Sequence, residues 1–383
     1  MRVSGPLFSQ SASGSIAKNI TFSKRKNGQF ARWQKKQIYQ NSSSQQSQRE
    51  KYLVAVSAWN SLTDEQKLVY ITRAKNLNMS GYNLFVQENI NVVPSGDYIY
   101  IGTPYANRII KLDRSALSFI SQSDVLSSYV NHIITDSNYI YFIFDGIKRV
   151  FKYQKSDFSL VAQTDLNANY YIRLVADDDY LYCAVYSENK VYKIQKSDMS
   201  KVDESPDYGD TIYSLDQDDD YIYIGGASPY TIHKIQKSDM SKVDESPSYG
   251  GYVYTITNDD DYLYIGGLST NKVYKIQKSD MSKVDESPST GGWISSLDNN
   301  DDYIFVANGY PPKLLTFNKS YMSLFSQSDP LDNTPIKIVS FDSYLYVSIE
   351  DSGYLNKYQK SDYALIASSP AYPDYVADFF LEQ

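Results

Sequence analysis

The sequence has little of the chemistry on which most enzymes and metal sites depend. Its 383 residues include one cysteine, Cys183, and two histidines, His132 and His233. A single cysteine excludes a disulfide within the chain and a metal site built from several cysteines. Neither histidine has a Ser or Cys nucleophile at a recognisable spacing, and no set of His, Asp and Glu ligands is evident. We therefore expect no enzymatic activity, no metal site and no cofactor.

Long hydrophobic runs are also missing. The sequence contains no stretch of about 18 apolar residues, so we expect no helix that spans a membrane. The first residues, Met1-Arg2-Val3-Ser4-Gly5-Pro6, lack the apolar segment of a signal peptide. We expect the protein to stay where it is made, or to leave by a route that needs no such signal.

Tyrosine, in contrast, is abundant and periodic. The segment Asp259-Asp260-Asp261-Tyr262-Leu263-Tyr264-Ile265-Gly266-Gly267 recurs, and the first tyrosine of each copy falls 41 residues after the last, at Tyr98, Tyr139, Tyr180, Tyr221, Tyr262, Tyr303 and Tyr344. One repeat contains strand-like segments at 252–257, 262–265, 272–276 and 281–285, with an Asn/Asp turn after the first. Four strands in about 40 residues is the size of one propeller blade. The sequence predicts a mainly β protein with a seven-bladed β-propeller over residues 91–383.

Closure of the ring requires one more strand. The segment 376–380 lies in register with the first strand of the repeat and places Val376 and Phe379 at its two most apolar positions. The competing segment, 89–93, offers Asn89 and Val92 there. We expect the C-terminal segment to be the inner strand of the first blade, which removes an exposed sheet edge.

Charge divides the chain into two parts. Residues 1–90 hold 13 Lys and Arg against 4 Asp and Glu, a net charge of +9, and the rest holds 24 against 41, a net charge of −17. Residues 1–48 are polar, basic and of low complexity, which predicts an extended arm. Residues 49–90 show helical spacing and a capping signal at Thr63, which predicts a small α-helical module. The candidate anchoring residues in the arm are Lys24, Arg25, Lys26, Arg32, Lys35 and Lys36.

Two resemblances follow from these segments. The Asp-Tyr-Leu-Tyr-Ile-Gly-Gly and Lys-Val-Tyr-Lys-Ile-Gln-Lys-Ser-Asp segments resemble the WD-repeat-like or YVTN-type seven-bladed propellers, although the Trp-Asp dipeptide is absent. The N-terminal part resembles the module that begins some phage and archaeal-virus structural proteins. That second resemblance rests on segments 14–16, 20–22, 48–49, 59–63 and 80–85. It implies a location in the virion and binding of the N-terminal module to other virion proteins.

The aspartate triplets at 177–179, 218–220 and 259–261 are the sharpest local feature. Calcium takes several oxygen ligands, but no Gly-spaced loop or later bidentate Glu completes a site here. The propeller topology brings Lys196, Lys237 and Lys278 near these triplets. We expect solvated turns whose charges are compensated by lysine rather than a calcium site.

The opposite face carries loops that differ between repeats. Exposed aromatic residues on Gly- and Pro-rich loops can stack on sugars or anchor a protein partner. Alternatively, they close the ends of the blades. The candidate ligand-binding residues are Tyr208, Tyr230, Tyr249, Trp293 and Tyr310.

Three functions remain open at this point. The first is a non-enzymatic virion structural protein, anchored by its N-terminal module, with the propeller displayed for structural or host contact, glycan or protein. The second is a cell-surface or filament-forming adhesion protein, and the third a lactonase-type propeller enzyme. The basic arm, with Phe30 and Trp33 among its charges, could bind nucleic acid, but we expect a protein partner instead.

Overall fold

The computed structural model describes the backbone of residues 14–16, 20–25, 28–33, 59, 64–74, 79–89, 98–103, 106–144, 149–164, 171–185, 188–209, 211–269, 271–372, 376 and 378–382. The chain divides into two compact units, residues 1–95 and 96–383.

The first unit contains a small antiparallel sheet where the sequence predicted an extended arm. Strands β1 (Gly14–Ile16), β2 (Ile20–Arg25) and β3 (Gly28–Trp33) pair in sequence order. The β2–β3 connection is two residues long, with Arg25 opposite Gly28. Paired strands thus lie within the part of the chain for which the sequence predicted an extended arm, while the Ser/Gln stretch at 40–48 lies outside the described residues.

Two helices follow in the same unit. Helix α1 (Asp64–Ala74) begins at the residue after the predicted cap, and α2 (Gly81–Asn89) begins after Ser80, whose Oγ accepts the N–H of Asn83 at 3.0 Å. The helices approach closely at Gly81, where a Cβ would lie 2.6 Å from the backbone nitrogen of Ile71. The helices in the described part of the chain are too short or too polar to cross a membrane.

The second unit is a propeller of seven four-stranded antiparallel sheets. Blade 1 contains β31 (Asp378–Leu381), β4 (Tyr98–Thr103), β5 (Arg108–Asp113) and β6 (Phe119–Gln122). Blade 2 contains β7 (Val130–Thr135), β8 (Tyr139–Phe144), β9 (Val150–Gln154) and β10 (Leu160–Gln163). Blade 3 contains β11 (Tyr171–Ala176), β12 (Tyr180–Val185), β13 (Lys190–Gln195) and β14 (Lys201–Glu204).

The remaining blades repeat this order. Blade 4 contains β15 (Ile212–Gln217), β16 (Tyr221–Gly226), β17 (Ile232–Gln236) and β18 (Lys242–Glu245). Blade 5 contains β19 (Tyr252–Asn258), β20 (Tyr262–Leu268), β21 (Tyr274–Gln277) and β22 (Lys283–Glu286). Blade 6 contains β23 (Ile294–Asn299), β24 (Tyr303–Gly309), β25 (Pro312–Asn318) and β26 (Leu324–Gln327). Blade 7 contains β27 (Pro335–Phe341), β28 (Tyr344–Ile349), β29 (Leu355–Gln359) and β30 (Leu365–Ser368).

The predicted periodicity is confirmed strand by strand. All seven anchor tyrosines are the first residue of the second strand of their blade. In blade 5 this strand continues through Gly266 and Gly267 instead of ending there. The glycines are needed for a close approach, since a Cβ on Gly266 would lie 2.9 Å from Cγ2 of Ile294 in the next blade.

The C-terminal segment closes the ring, as predicted. Strand β31 pairs with β4, with Asp378 opposite Gly102 and Phe379 opposite Ile101. The side chains of Val376 and Phe379 are fully buried. One blade is thus assembled from the two ends of the propeller sequence.

The core lies between the blades. The described residues form seven apolar clusters in the propeller, and each joins two neighbouring blades, including blades 7 and 1. The second aromatic residue of each anchor segment lies in these interfaces and is almost fully buried: Tyr100, Tyr141, Tyr182, Tyr223, Tyr264, Phe305 and Tyr346. Every blade therefore depends on both of its neighbours for burial of its two faces.

Truncation of Phe379 to alanine should test closure by β31. Phe379 is fully buried, so Phe379→Ala should lower the free energy of unfolding by about 3–5 kcal/mol. Phe325→Ala, at a position 62% exposed, is the matched control and should cost less than about 1 kcal/mol. Urea unfolding of both variants gives the comparison, and equal losses would contradict an inner-strand role for β31.

Candidate functional site

The propeller has two faces with different connections. The turn face carries the Asp turns between the first and second strands and the Lys-Ser-Asp turns between the third and fourth. The loop face carries the connections between the second and third strands and those between blades. Each predicted aromatic binding residue belongs to the loop face, and each aspartate triplet to the turn face.

Tyr208 and Tyr230 line one small cavity on the loop face. Tyr208 follows the last strand of blade 3, and Tyr230 lies in the β16–β17 loop of blade 4. The cavity has a volume of about 10 Å³, room for about one water molecule, and is lined by Tyr208, Ile212, Ile224, Gly225, Gly226, Ser228, Pro229, Tyr230, Thr231 and His233. The Tyr208 ring stacks on the His233 ring, with 4.6 Å between centroids.

The polar side chains of this cavity wall are buried next to a carboxylate. Thr231 is 6% exposed and His233 is 9% exposed. Glu245 Oε2 lies 3.6 Å from His233 Nδ1, and Lys242, His233 and a hydrogen bond from Thr231 lower the pKa of Glu245. Burial, followed by the nearby Lys242, lowers the pKa of His233, and Glu245 opposes this only in part. The imidazole is therefore neutral at pH 7.

An aromatic row continues from the cavity into blade 5. Tyr249 packs on Tyr274 at 5.0 Å between centroids, as Tyr208 packs on His233 one blade earlier. The N–H of Tyr249 donates to the carbonyl of Tyr230 at 3.0 Å, which ties the two loops together. Tyr230 also meets Tyr252 edge to face at 5.7 Å. Tyr249 thus closes the end of a blade, with its ring partly buried.

Trp293 and Tyr310 form a separate pair in blade 6. The Trp293 ring packs over Gly309, where a Cβ would lie 2.1 Å from the indole. The N–H of Gly309 donates to the carbonyl of Trp293 at 2.8 Å. Tyr310 is 72% exposed, so its ring is available to a partner, whereas the indole is half-buried.

The five predicted residues therefore fall into two groups on consecutive blades. Tyr208, Tyr230 and Tyr249 lie in blades 3 to 5, and Trp293 and Tyr310 at blade 6. The sequence analysis assigned no role to His233 and did not consider Thr231. Blade 4 differs here from its neighbours, because blades 3 and 5 have Lys and Tyr at the positions of Thr231 and His233.

The aspartate triplets support the blade interfaces. Asp177 Oδ1 accepts the N–H groups of Asp179 at 3.1 Å and Tyr180 at 2.8 Å, and Oδ2 accepts the Tyr182 hydroxyl at 2.8 Å. Lys237 Nζ, from the next blade, lies 3.6 Å from the same Oδ2. Burial opposes ionisation of Asp177 and is the largest single influence, but these hydrogen bonds and Lys237 outweigh it and lower its pKa.

Four blade interfaces contain the same three residues. They are the first aspartate of the turn, the second tyrosine of the strand that follows it, and a lysine from the following blade. The lysine-to-aspartate distances are 3.6 Å for Lys196–Asp136, 3.0 Å for Lys278–Asp218 and 2.9 Å for Lys319–Asp259, in addition to Lys237–Asp177. Lysine does pair with the first aspartate of each of these turns, but every lysine comes from the following blade: Lys237 and Lys278 pair with the triplets of blades 3 and 4, Lys319 with that of blade 5, and Lys196 with Asp136 of blade 2, which has no triplet. Within the described residues no group of three or more His, Cys, Asp or Glu is arranged to hold a metal ion.

The two interfaces on either side of blade 1 have other residues at the positions of this aspartate and lysine. Between blades 7 and 1 the Arg114 guanidinium lies 3.7 Å from the centroid of Phe341, which occupies the Asp position. Between blades 1 and 2, Lys155 Nζ pairs at 2.5 Å with Glu382, which follows β31. The last residues of the chain thus provide the carboxylate for the blade that they complete.

The inner strands bring a charged cluster together at the seam. Asp378 is 4% exposed and lies 2.6 Å from Lys337 Nζ of blade 7, and its Oδ2 accepts the N–H of Ile133 of blade 2 at 2.8 Å. His132 Nε2 lies 3.8 Å from the same oxygen. Burial, together with Lys337 and Arg173, lowers the pKa of His132 to about 3, so the ring is neutral. This cluster joins blades 7, 1 and 2, and sequence reasoning did not predict it.

Two further carboxyls lie on inner strands. Burial raises the pKa of Asp216 to about 6 and also raises that of Asp298, which lies close enough to add to the shift of Asp216. Asp216 Oδ2 accepts the Asn258 amide at 2.6 Å, and Asp298 Oδ2 accepts the N–H of Ser340. Each carboxyl therefore has a donor from a neighbouring blade, and Lys278 and Lys360 offset only part of the effect of burial on the pKa of Asp216 and Asp298.

The candidate anchoring residues belong to the first unit. Lys24 and Arg25 lie on β2 and Arg32 lies on β3. Lys26, Lys35 and Lys36 lie outside the described residues.

Removal of one lysine should show how much the repeated ion pair contributes. Lys237→Met should lower the free energy of unfolding at pH 7 by about 1 kcal/mol, because the partner Asp177 is partly exposed and its charge is screened. The depressed pKa of Asp177 means that this contribution is present above the ordinary carboxyl pKa and is lost as the pH falls through the folded-state value. The matched control is Lys313→Met, because the Lys313 Nζ lies 3.4 Å from the uncharged Gln327 Oε1. Urea unfolding at several pH values should show a pH-dependent loss for Lys237→Met only, and the same pH dependence in both variants would exclude an ion-pair effect.

Replacement of Asp216 should stabilise the propeller at neutral pH. Its pKa is near 3.9 in an unfolded chain and about 6 in the folded protein. The contribution of Asp216 therefore lowers the free energy of unfolding as the pH rises from about 4 to about 6, and this loss stays constant at higher pH. Asp216→Asn should raise the free energy of unfolding by on the order of 1–3 kcal/mol at pH 7 and much less at pH 4. Asp219→Asn, on an exposed turn, is the control. Stability curves for Asp216→Asn and wild type that run parallel from pH 4 to pH 7 would refute this account.

Comparisons with known proteins support the fold alone. No protein-family model and no curated protein matches the chain. The structure is similar to the crystal structure of the computationally designed Ika8 protein, with a TM-score of 0.60, 7% identity, and coverage of 75% of this chain and 92% of that chain. It is also similar to a functionally unknown protein from Desulfotomaculum acetoxidans DSM 771, with a TM-score of 0.63, 12% identity, and coverage of 74% and 98%. The chain is a seven-bladed β-propeller protein.

Proposed function

We propose that the protein is a non-enzymatic structural protein of a virus particle. Its N-terminal region binds other virion proteins, and its propeller presents the loop face to a glycan or protein on the host surface. The observation that carries the binding role is the aromatic loop face of blades 4 to 6, where Tyr310 is 72% exposed beside the half-buried Trp293. Large aromatic side chains dominate the energetics of most recognition surfaces.

The location in a virion rests on the N-terminal sequence. Segments 14–16, 20–22, 48–49, 59–63 and 80–85 resemble the module of phage and archaeal-virus structural proteins, and the propeller repeats resemble the YVTN type. The net charge of +9 on residues 1–90 against −17 on the rest supports two surfaces with different partners.

The outer edge of the propeller adds support for a structural role. The fourth strands of blades 6, 7, 1 and 2, which are consecutive in the ring, each expose two adjacent apolar residues: Leu324 and Phe325, Leu365 and Ile366, Phe119 and Ile120, and Leu160 and Val161. Blades 3 to 5 instead have a lysine first, paired with the glutamate three residues on. An apolar arc of this kind suits packing against neighbouring proteins in a particle.

The charged residues on the inner strands support a structural role rather than a catalytic one. Lys337 and the N–H of Ile133 both engage Asp378, and burial keeps the adjacent His132 neutral. These groups hold three blades together, which supports a structural role in preference to a lactonase-type one.

Particle purification with two variants tests the proposal. Lys24→Glu, Arg25→Glu and Lys26→Glu together should reduce incorporation into particles, because they reverse the charge of the proposed anchor. Tyr310→Ala should be incorporated normally, yet the particles should attach less to host cells. Immunoblots of purified particles and a host-cell attachment assay give the two results. Wild-type protein found on cell surfaces and never in particles would favour the adhesion alternative, and hydrolysis of lactones would favour the enzyme.

A further inference from the structure

The outer edge of blade 6 has lost the charges that the same segment carries in blade 5. In blade 5, the last turn and the fourth strand contain four charged residues after Lys278: Asp280, Lys283, Asp285 and Glu286. Blade 6 has an uncharged residue at each of these positions: Tyr321, Leu324, Ser326 and Gln327. Both fourth strands pair with the third strand of their blade in the same register, with the same shift. The surface has therefore changed while the backbone has not.

These substitutions leave large apolar side chains in contact with water. Tyr321 is 78% exposed, and Phe325, at the position of Val284 in blade 5, is 62% exposed. Leu324, beside Phe325, is also exposed. The Phe325 ring packs on Tyr303 of the second strand, with 4.7 Å between centroids. This contact holds the phenyl ring at the edge of the blade, where it offers its remaining surface to a partner.

The apolar surface continues into blade 7. The Tyr363 hydroxyl lies 2.6 Å from Thr316 Oγ1 and 3.0 Å from Ser326 Oγ, so the last turn of blade 7 is joined to the edge of blade 6. Leu365 and Ile366 follow this turn, and both are exposed. We define the rim patch as the following five residues: Tyr321, Leu324, Phe325, Leu365 and Ile366.

The rim patch includes the edge strands of two sheets. Within the described part of the chain, β26 and β30 each pair with another strand on one side only. Edge strands often carry lysine, which hinders pairing with another chain. The fourth strands of blades 3 to 5 each begin with one: Lys201, Lys242 and Lys283. Strands β26 and β30 begin with Leu324 and Leu365, so this protection is missing at the rim patch.

Charge and area favour a second copy of the chain as the partner. Strands β26 and β30 contain no Asp, Glu, Lys or Arg, so two copies can meet there without opposing the charges of these strands. A twofold axis places the same edge strand of two chains antiparallel, an arrangement in which strands can pair. The five side chains expose roughly 500 Å² of apolar surface per chain, so two copies would bury roughly 1,000 Å², the lower limit for a stable interface.

We propose that the protein forms a symmetric dimer through the rim patch, with the fourth strands of blades 6 and 7 of one copy packed against those of the other. The inference rests on the structural role proposed above and names the partner for part of its apolar arc. The contact lies on the outer edge of the propeller and is separate from the aromatic residues of the loop face.

Sedimentation equilibrium of the full-length protein tests the dimer. Wild type should change from the mass of one chain to twice that mass as its concentration rises from about 1 μM to about 100 μM, the range for an interface of this size. The triple variant Tyr321→Asp, Leu324→Lys and Phe325→Val gives blade 6 the residues of blade 5. It should weaken the dimer at least about thirtyfold, because large aromatic residues dominate binding. Val243→Lys, at the Phe325 position of blade 4, is the matched control and should leave the dimer unchanged.

Salt distinguishes this contact from an electrostatic one. Association of the basic residues 1–90 of one copy with the acidic propeller of another would weaken as salt rises from about 0.1 M to about 0.5 M, because exposed charges are screened. A dimer through the uncharged rim patch should persist or become tighter.

Three results would overturn the inference. They are a wild-type protein that is monomeric at about 100 μM, a dimer that the folded triple variant forms equally well, and a dimer that dissociates as salt is raised. Circular dichroism establishes whether the triple variant is folded, and Phe325→Lys alone decides if it is not. A dimer of a protein that is absent from virus particles would reject the virion role but leave this contact in place, whereas a monomer found in particles would do the reverse.

Discussion

The structure depends on the burial of each blade between two others. A four-stranded sheet with apolar residues on both faces cannot be stable in water alone, and the seven clusters of this propeller all span two blades. Burial of one large side chain is worth about 1.5–3 kcal/mol, whereas a partly exposed ion pair is worth about 0–1 kcal/mol. Apolar burial therefore sets the fold, and the Asp–Tyr–Lys sets fix how consecutive blades meet at one face. Closure follows from the same constraint, since an open ring would leave two blade faces in water.

Local regularity explains why so much of the propeller could be predicted. The strand starts at the seven anchor tyrosines, the Asn/Asp turns and the closing strand all follow from patterns within one repeat. The ion pairs between residues of different blades could not be predicted in this way. Lys237 is close in sequence to Asp218 but pairs with Asp177, and Glu382 supplies Lys155 with a carboxylate from the other end of the chain. The paired strands β1 to β3 were not predicted, because the high polarity and charge of residues 1–48 pointed to an extended arm.

The candidate site was predictable only in part, for two physical reasons. Aromatic residues next to glycine were expected to be exposed, yet glycine also makes room for a ring, and Trp293 packs over Gly309 for this reason. The polar residues that line the small cavity, Thr231 and His233, lie just before and within the third strand of blade 4 and carry no local signal of their position. Their positions become informative only by comparison with Lys190 and Tyr192 one repeat earlier.

Such comparison shows how single blades of a repeat protein can differ in sequence without loss of the fold. In blade 3, Val191 is fully buried in the interface with blade 4, whereas its neighbour Lys190 pairs with Glu204 near the surface. Lys190 and Glu204 are 26% and 36% exposed, and a pair of this kind contributes at most about 1 kcal/mol. The replacement of this lysine by Thr231 in blade 4 therefore has a small cost in stability. The buried residues that fix the blades are thus distinct from the exposed residues that distinguish one blade from the next.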